Sequence, residues 1–332
     1  MSNIPRSRKE GKKFVNPVPT QTSTGSFGKI LRAYITGKQE RVPKIPLGPF
    51  VTDTSVYDRQ PESGLRITWM GHSSLLIEID GKRILTDPVW GPRASFSKYV
   101  GPKRFFEAPL PLNKLPKLDA IILSHDHYDH LDYPTIRQMI NDEVPFYCSL
   151  GVGGHLSKWG IHKDRINEMD WGDTLKVDKD LSITACPARH FSGRGITNRN
   201  ETLWSSFVIT GTEHNIFFGA DSGYFPGFND IGIAYGPFDL AMLEIGAANE
   251  NWAHIHMGPE RASEAFKALN SKVMMPIHWG TFNLAIHGWR EPIEQLVEYA
   301  FDKSIVLFAP EPGKPTEVTE EGHNSWWWET NK

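Results

Sequence analysis

The chain has 332 residues, 39% of them hydrophobic and 11% aromatic, so it can bury a large core, and length alone allows one or two domains. Its net charge of −3 hides an asymmetry: residues 1–48 hold ten Lys or Arg against Glu10 and Glu40, a surplus of +8 that leaves −11 on the remainder. Two cysteines, Cys148 and Cys186, exclude a disulfide framework, and no apolar stretch reaches the roughly 20 residues of a spanning helix; the expectation is a soluble, cytoplasmic protein with buried thiols, no signal peptide and no transmembrane segment.

In chain order, residues 1–60 form a basic arm and lead-in, either solvated or attracted to an anionic surface such as phospholipid headgroups or nucleic acid. Residues 61–332 read as a single catalytic domain. From Leu65 to Thr86 three strands follow in meander order, turned at Asp80-Gly81. His72, a single His beside a Gly, reads as a packed, hydrogen-bonded residue, and Asp87-Pro88 leaves the third strand. Residues 90–118 are rich in Gly, Pro and aromatics and form a long irregular connection, which in a compact domain is usually functional.

The apolar run Ala120-Ile121-Ile122-Leu123 is a strand buried on both faces. At its exit stands Ser124-His125-Asp126-His127-Tyr128-Asp129-His130, with His125 and His127 able to meet at one point and Asp129 and His130 at a second. Imidazole and carboxylate suit zinc, and neutral His with ionised Asp is the state that metal binding needs. Asp126 should point away. Helix is expected over Tyr133 to Asn141, strand over Phe146 to Leu150, helix over Gly154 to Trp159, and a broken strand pair over Ile166 to Val177. Gly151-Val152-Gly153-Gly154 lacks the Lys and Ser/Thr of a phosphate loop and reads as a turn.

The second half places three more candidate ligands at strand exits: His190 after Leu181 to Cys186, Asp221 after Asn215 to Ala220, and His278 after Val273 to Ile277. Further strands are expected over Trp204 to Thr210, Leu240 to Ile245 and Ile305 to Phe308, with helices over Pro259 to Leu269 and Pro292 to Phe301. Trp326-Trp327-Trp328 cannot all face one side of a strand, which leaves packing across the fold, a homodimer contact, or anchoring at a membrane interface.

The His-x-His-x-Asp-His loop followed by a distant His, an Asp and a last His resembles the metallo-β-lactamase-fold superfamily. Trp69-Met70-Gly71-His72-Ser73-Ser74, Leu85-Thr86-Asp87-Pro88, Gly101-Pro102-Lys103-Arg104, His130-Leu131-Asp132 and His278-Trp279-Gly280-Thr281 are similar to its branch of N-acylphosphatidylethanolamine-hydrolysing phospholipases D. That resemblance implies an α/β fold, the four-layer αββα sandwich. It implies one metal on His125, His127 and His190, another on Asp129, His130 and His278, and Asp221 bridging two Zn2+ per chain, with iron or manganese as alternatives.

It also implies a zinc-dependent phosphodiesterase that releases N-acylethanolamine and phosphatidic acid from a phospholipid substrate. A metal pair acidifies bound water to a pKa of about 7, so no Ser or Cys nucleophile is required. By resemblance His256 stands near the scissile phosphate as a donor, Tyr128 contacts substrate, and Arg194 is a candidate phosphate contact; His254 reads as a surface or packing residue. Peripheral contact with an anionic membrane fits the basic arm, and no specific nucleic-acid partner is expected. The alternative is a soluble lactone, thioester or nucleic-acid hydrolase on the same scaffold.

Overall fold

A computed structural model describes residues 4–23, 28, 32, 36–195 and 197–329. The chain opens with a hairpin of β1 (Arg8–Glu10) and β2 (Lys13–Val15). The expected meander follows as β3 (Leu65–Gly71), β4 (Ser74–Ile79) and β5 (Lys82–Thr86), turned at Asp80 and Gly81, both in the left-handed region. Next come β6 (Ala120–Leu123), α1 (Tyr133–Gln138), β7 (Phe146–Ser149), α2 (Val152–Lys158), β8 (Ile166–Met169) and β9 (Thr174–Lys176). The second half supplies β10 (Ser182–Pro187), β11 (Ser205–Thr210), β12 (Asn215–Phe218), α3 (Gly227–Tyr235), β13 (Phe238–Glu244), α4 (Gly258–Ala268), β14 (Ser271–Ile277) and α5 (Glu291–Lys303). Short strands β15 (Phe308–Ala309), β16 (Thr316–Glu317) and β17 (His323–Asn324) close the fold.

Two sheets carry the architecture: seven strands in the order β16-β3-β4-β5-β6-β7-β8 and six in the order β14-β13-β12-β11-β10-β9. Each joins an antiparallel meander to a parallel segment, β5 to β8 in one and β12 to β14 in the other. Side chains alternate across a strand, and the two cores show it. Ile84 and Ile122 enter the core between the sheets with Phe207, Ile209 and Phe218, while their neighbours Leu85, Ile121 and Leu123 point outward beneath α1 and α2, against Ile136 and Leu156. Helix α4 covers β13 and β14 and packs on α5. The layers therefore run helix, sheet, sheet, helix: the αββα sandwich.

The structure departs from the sequence reading in four places. The strand pair over Ile166 to Val177 is split between sheets, because β8 edges the first and β9 the second, so the chain crosses the sandwich at Asp170–Asp173. Helix α3 was not expected: two glycines in nine residues and the lack of a side-chain N-cap weaken its helical signal, and burial of Phe228 and Ile231 stabilises it. Of Ile305 to Phe308 only Phe308 is strand, paired through β15 to β17. Gly151, left-handed, caps α2 rather than ending in a free turn.

Residues 4–23 lie on the body. Phe14 is buried with Trp171 and Trp204, and Arg6 pairs with Asp170 and Asp173. Trp327 and Trp328 are buried against Trp279, whereas Trp326 is half exposed. Both thiols are free and buried, which pushes their pKa values up. No described helix is long and apolar enough to cross a membrane.

Candidate metal centre

Within each sheet the parallel strands, β5 and β6 in one and β12, β13 and β14 in the other, point the same way, and the convergence of the residues at their carboxyl ends puts both sets on one side of the sandwich. Asp87, Ser124–His130, Asp221 and His278 follow those ends, Glu244 is the last residue of β13, and His190 follows β10. Five of the ten left-handed non-glycine residues among the described ones, His72, Asp87, Ala220, Ala247 and His278, lie at this end. Such backbone is rare outside glycine and is held here by packing. Gly246 allows close approach: a Cβ there would stand 1.9 Å from His278 O.

The seven candidate ligands come together. The ligand atoms of His125, His127, His190 and Asp221 lie within 4.8 Å of one another, and so do those of Asp129, His130 and His278, joined by His72. Asp221 stands between the two sets: its carboxylate is 3.2 Å from His130 Nε2, 3.2 Å from His278 Nε2, 3.7 Å from His190 Nε2 and 3.9 Å from His125 Nε2. Ligands of a tetrahedral zinc with bonds near 2.05 Å would be separated by about 3.3 Å.

Hydrogen bonds behind the rings decide which nitrogen faces inward. Asp87 accepts from Ser124 N (2.8 Å), Ser124 Oγ (2.6 Å) and His130 Nδ1 (2.7 Å). Ser124 Oγ lies 2.9 Å from His125 Nδ1 and, already donating to Asp87, accepts from that ring. His190 Nδ1 donates to Ile255 O at 2.9 Å. These three rings therefore present bare Nε2 atoms to the centre. His127 presents Nδ1 instead, 2.9 Å from His125 Nε2 and 3.2 Å from His190 Nε2.

Electrostatics agree with a cation. Burial holds His125, His127 and His190 below the usual imidazole pKa. Burial opposes charge on Asp129 and Asp221, yet the imidazoles around them outweigh it and hold both well below the carboxylate range. Burial likewise opposes charge on His278, but Asp221, Asp129 and Glu244 lift its pKa to about 10. His130 Nε2, His278 Nε2 and Asp221 Oδ1 are buried without a hydrogen-bond partner. Buried polar atoms are rarely left so, and unpaired, convergent nitrogen and oxygen donors fit a divalent metal.

A cavity of about 260 Å³ opens over the centre, walled by Phe191, Trp252, Ile255, Leu284 and Thr22. His256 faces it. Its Nδ1 is 2.6 Å from Glu244 Oε2, and Glu244 is itself fixed by Ser222 N (2.9 Å) and Met257 N (3.3 Å) on Oε1. Glu244 went unnoticed in the sequence, although a lone carboxylate in the run Ala241-Met242-Leu243-Glu244-Ile245 was a signal. Thr22, on the cavity wall, carried no signal at all.

The remaining candidates fall as follows. Tyr128 donates its hydroxyl to Arg194 O at 2.7 Å. The Arg194 guanidinium lies over the Tyr128 ring at 4.0 Å and donates to Asp126 O and Leu131 O at 2.8 and 2.6 Å, so it braces the metal loop rather than reaching into the cavity. Asp126 points away from the centre, accepting from Gly193 N at 2.6 Å. His72 is buried and hydrogen-bonded to Asp129 at 2.9 Å. His254 accepts from Gln21 N at 3.1 Å, on the surface.

A model of the β-lactamase superfamily domain matches residues 82–279. The chain belongs to the metallo-β-lactamase superfamily. Within it, the chain is 37% identical over 254 residues to the N-acyl-phosphatidylethanolamine-hydrolyzing phospholipase D 1 of Caenorhabditis elegans, covering 73% of this chain and 71% of that one. A Mycobacterium tuberculosis protein of uncharacterised function is 44% identical over 287 residues, covering 85% of this chain and 77% of its own. Among solved structures, a metallo hydrolase of Ignicoccus hospitalis aligns with a TM-score of 0.56 at 25% identity, over 76% of this chain and 97% of the other. The protein is thus a metal-dependent hydrolase of the metallo-β-lactamase fold, with candidate metal-binding clusters at the carboxyl ends of its strands.

Proposed function

We propose that the protein is a dinuclear zinc phosphodiesterase of the phospholipase D type, which cleaves N-acylphosphatidylethanolamine-like lipids to N-acylethanolamine and phosphatidic acid. The Glu244–His256 pair carries this reading, since it sets a fixed proton donor beside Asp221 and His278, where a leaving alkoxide needs one. The relative from Caenorhabditis elegans supports the substrate class.

His125, His127 and His190 would hold one metal, Asp129, His130 and His278 the other, with Asp221 shared. Bound there, two divalent cations supply Lewis-acid activation of water and of the phosphoryl oxygens. The protein's own part is positioning and proton transfer. Asp87, Ser124 and Ile255 O fix the rings, so the donor set is arranged before substrate arrives. Glu244 holds His256 Nδ1 and turns Nε2 outward. A water-derived oxygen bonds to phosphorus, the bond from phosphorus to the ethanolamide oxygen breaks, and a proton on His256 Nε2 passes to that oxygen. The cavity of about 260 Å³ admits the diester headgroup and leaves the acyl chains outside.

The test is hydrolysis in 18-oxygen water by purified, metal-quantified protein. The label should enter the phosphate product. Label in the released alcohol would mean attack at carbon, and rapid lactone or thioester turnover without diester cleavage would overturn the proposal.

A further inference from the structure

Substrate whose acyl chains stay outside the cavity must come from somewhere, and the surface beside the metal loop offers a place. Residues 93–103 form a closed loop. Its base is tied by the Arg93–Lys103 bridge, by Ala94 N donating to Pro102 O at 3.0 Å, and by Arg93 Nη1 donating to Gly101 O at 2.5 Å. Its tip stands in solvent: Phe96 is 81% exposed, Tyr99 75% and Val100 63%.

Exposed single apolar residues are ordinary, but three within five positions on a braced tip are a patch, and such patches mark interaction sites. Across a groove of about 590 Å³ from Gly101–Phe105, Val42 extends the patch, itself 52% exposed. The charges are of one sign. Lys98 and Lys103 are exposed and Arg93 is half-buried, with no Asp or Glu between Trp90 and Glu107, and Lys98 Nζ sits 5.0 Å over the Tyr99 ring. Phe96 and Tyr128 rings are 6.3 Å apart, so the tip stands next to the metal loop.

We infer that the loop 93–103, with Val42 beside it, is a docking surface for an anionic phospholipid bilayer. The inference rests on the proposed lipid phosphodiesterase reading and supplies its route of substrate entry. Apolar and aromatic side chains enter the headgroup boundary while the lysines meet anionic headgroups. A second copy of the chain could cover the same apolar tip, but the excess of positive charge would then repel itself; an anionic membrane neutralises it.

The experiment uses the full, metal-loaded chain with vesicles of phosphatidylcholine alone or mixed with phosphatidylglycerol, read by co-sedimentation. The wild type should bind the anionic vesicles and not the neutral ones. Tyr99→Ser with Val100→Ser should weaken binding more than about tenfold at every salt concentration, while Lys98→Glu with Lys103→Glu should weaken it by a similar factor at low salt and less at high salt. Turnover of a short soluble diester should stay within about twofold in both variants, because neither alters the centre. Wild-type binding by the variants, or no binding by the wild type, overturns the inference. So does a wild-type dimer in light scattering that Tyr99→Ser with Val100→Ser turns into a monomer. Because vesicle binding is read apart from turnover, loop-dependent binding in a protein that cleaves only lactones would sink the phosphodiesterase reading and leave the docking surface standing.

Discussion

Asn16 and His190 are locked together by a reciprocal pair of hydrogen bonds: Asn16 Nδ2 donates to His190 O at 2.7 Å, and His190 N donates to Asn16 Oδ1 at 3.0 Å. A residue of the basic arm thus holds the backbone of a candidate metal ligand. The neighbouring Arg189 ties down the same stretch, its guanidinium donating to Thr20 Oγ1 and Pro19 O. Asn16→Ala should weaken metal affinity about tenfold, the low end for losing a group behind a ligand. Chelator competition would measure it, with circular dichroism confirming the fold. Deleting residues 4–23 also removes Phe14 from its aromatic pocket and should lower hydrolysis of a soluble diester; unchanged affinity and turnover would return the arm to the surface.

Asp87→Asn offers a sharper test of how the rings are set. With Oδ1 still accepting from Ser124 N, the new amide must face His130 Nδ1 and donate to it. His130 would then carry its proton on Nε2, the atom meant for metal. Affinity should fall about 10- to 100-fold, seen as metal lost on dialysis, with little change in the melting temperature. Asp87→Ala leaves buried donors unsatisfied and should destabilise the fold by roughly 3–5 kcal/mol as well.

How much of this was legible in the sequence follows from how local each feature is. His125 to His130 sit within one turn after a short apolar run, and a strand exit is enough to make such residues converge. His190, Asp221 and His278 could be found because each ends an apolar strand. The structure confirms that parallel strand ends share one side, a property that no local window contains. Asn16 was invisible for the same reason: its partner lies 174 residues away. The split of 166–177 between two sheets, and helix α3, likewise depend on what the chain packs against.

Asp221→Ala probes the shared carboxylate. Its two oxygens face His130 and His278 and favour positive charge on both rings against the burial that opposes it. Metal content by elemental analysis and diester turnover should fall together. The wild type should also lose stability on chelation, by about 2.7 kcal/mol where free metal had stood at a hundred times its dissociation constant. Full metal content in Asp221→Ala, or a melting temperature blind to chelator, would remove the residue from the metal set.

His256 and Glu244 can be separated from the ligands by what each variant keeps. His256→Ala should retain metal and fold while turnover falls about 10²- to 10⁴-fold, the range for one positioned proton donor. Glu244→Gln should fall less. Its amide oxygen can keep Ser222 N and Met257 N, but the amide nitrogen then faces His256 Nδ1 and leaves the imidazole neutral, with its single proton on Nε2. A neutral imidazole still donates, only as a weaker acid. A diester with a more acidic leaving group needs less protonation, so the deficits of both variants should shrink on it together. His254→Ala, altering only the surface contact with Gln21, should match the wild type. Metal loss in His256→Ala would make that ring a ligand instead. A deficit that persists undiminished with the better leaving group would mean that His256 contacts a non-bridging phosphoryl oxygen and does not protonate the alkoxide.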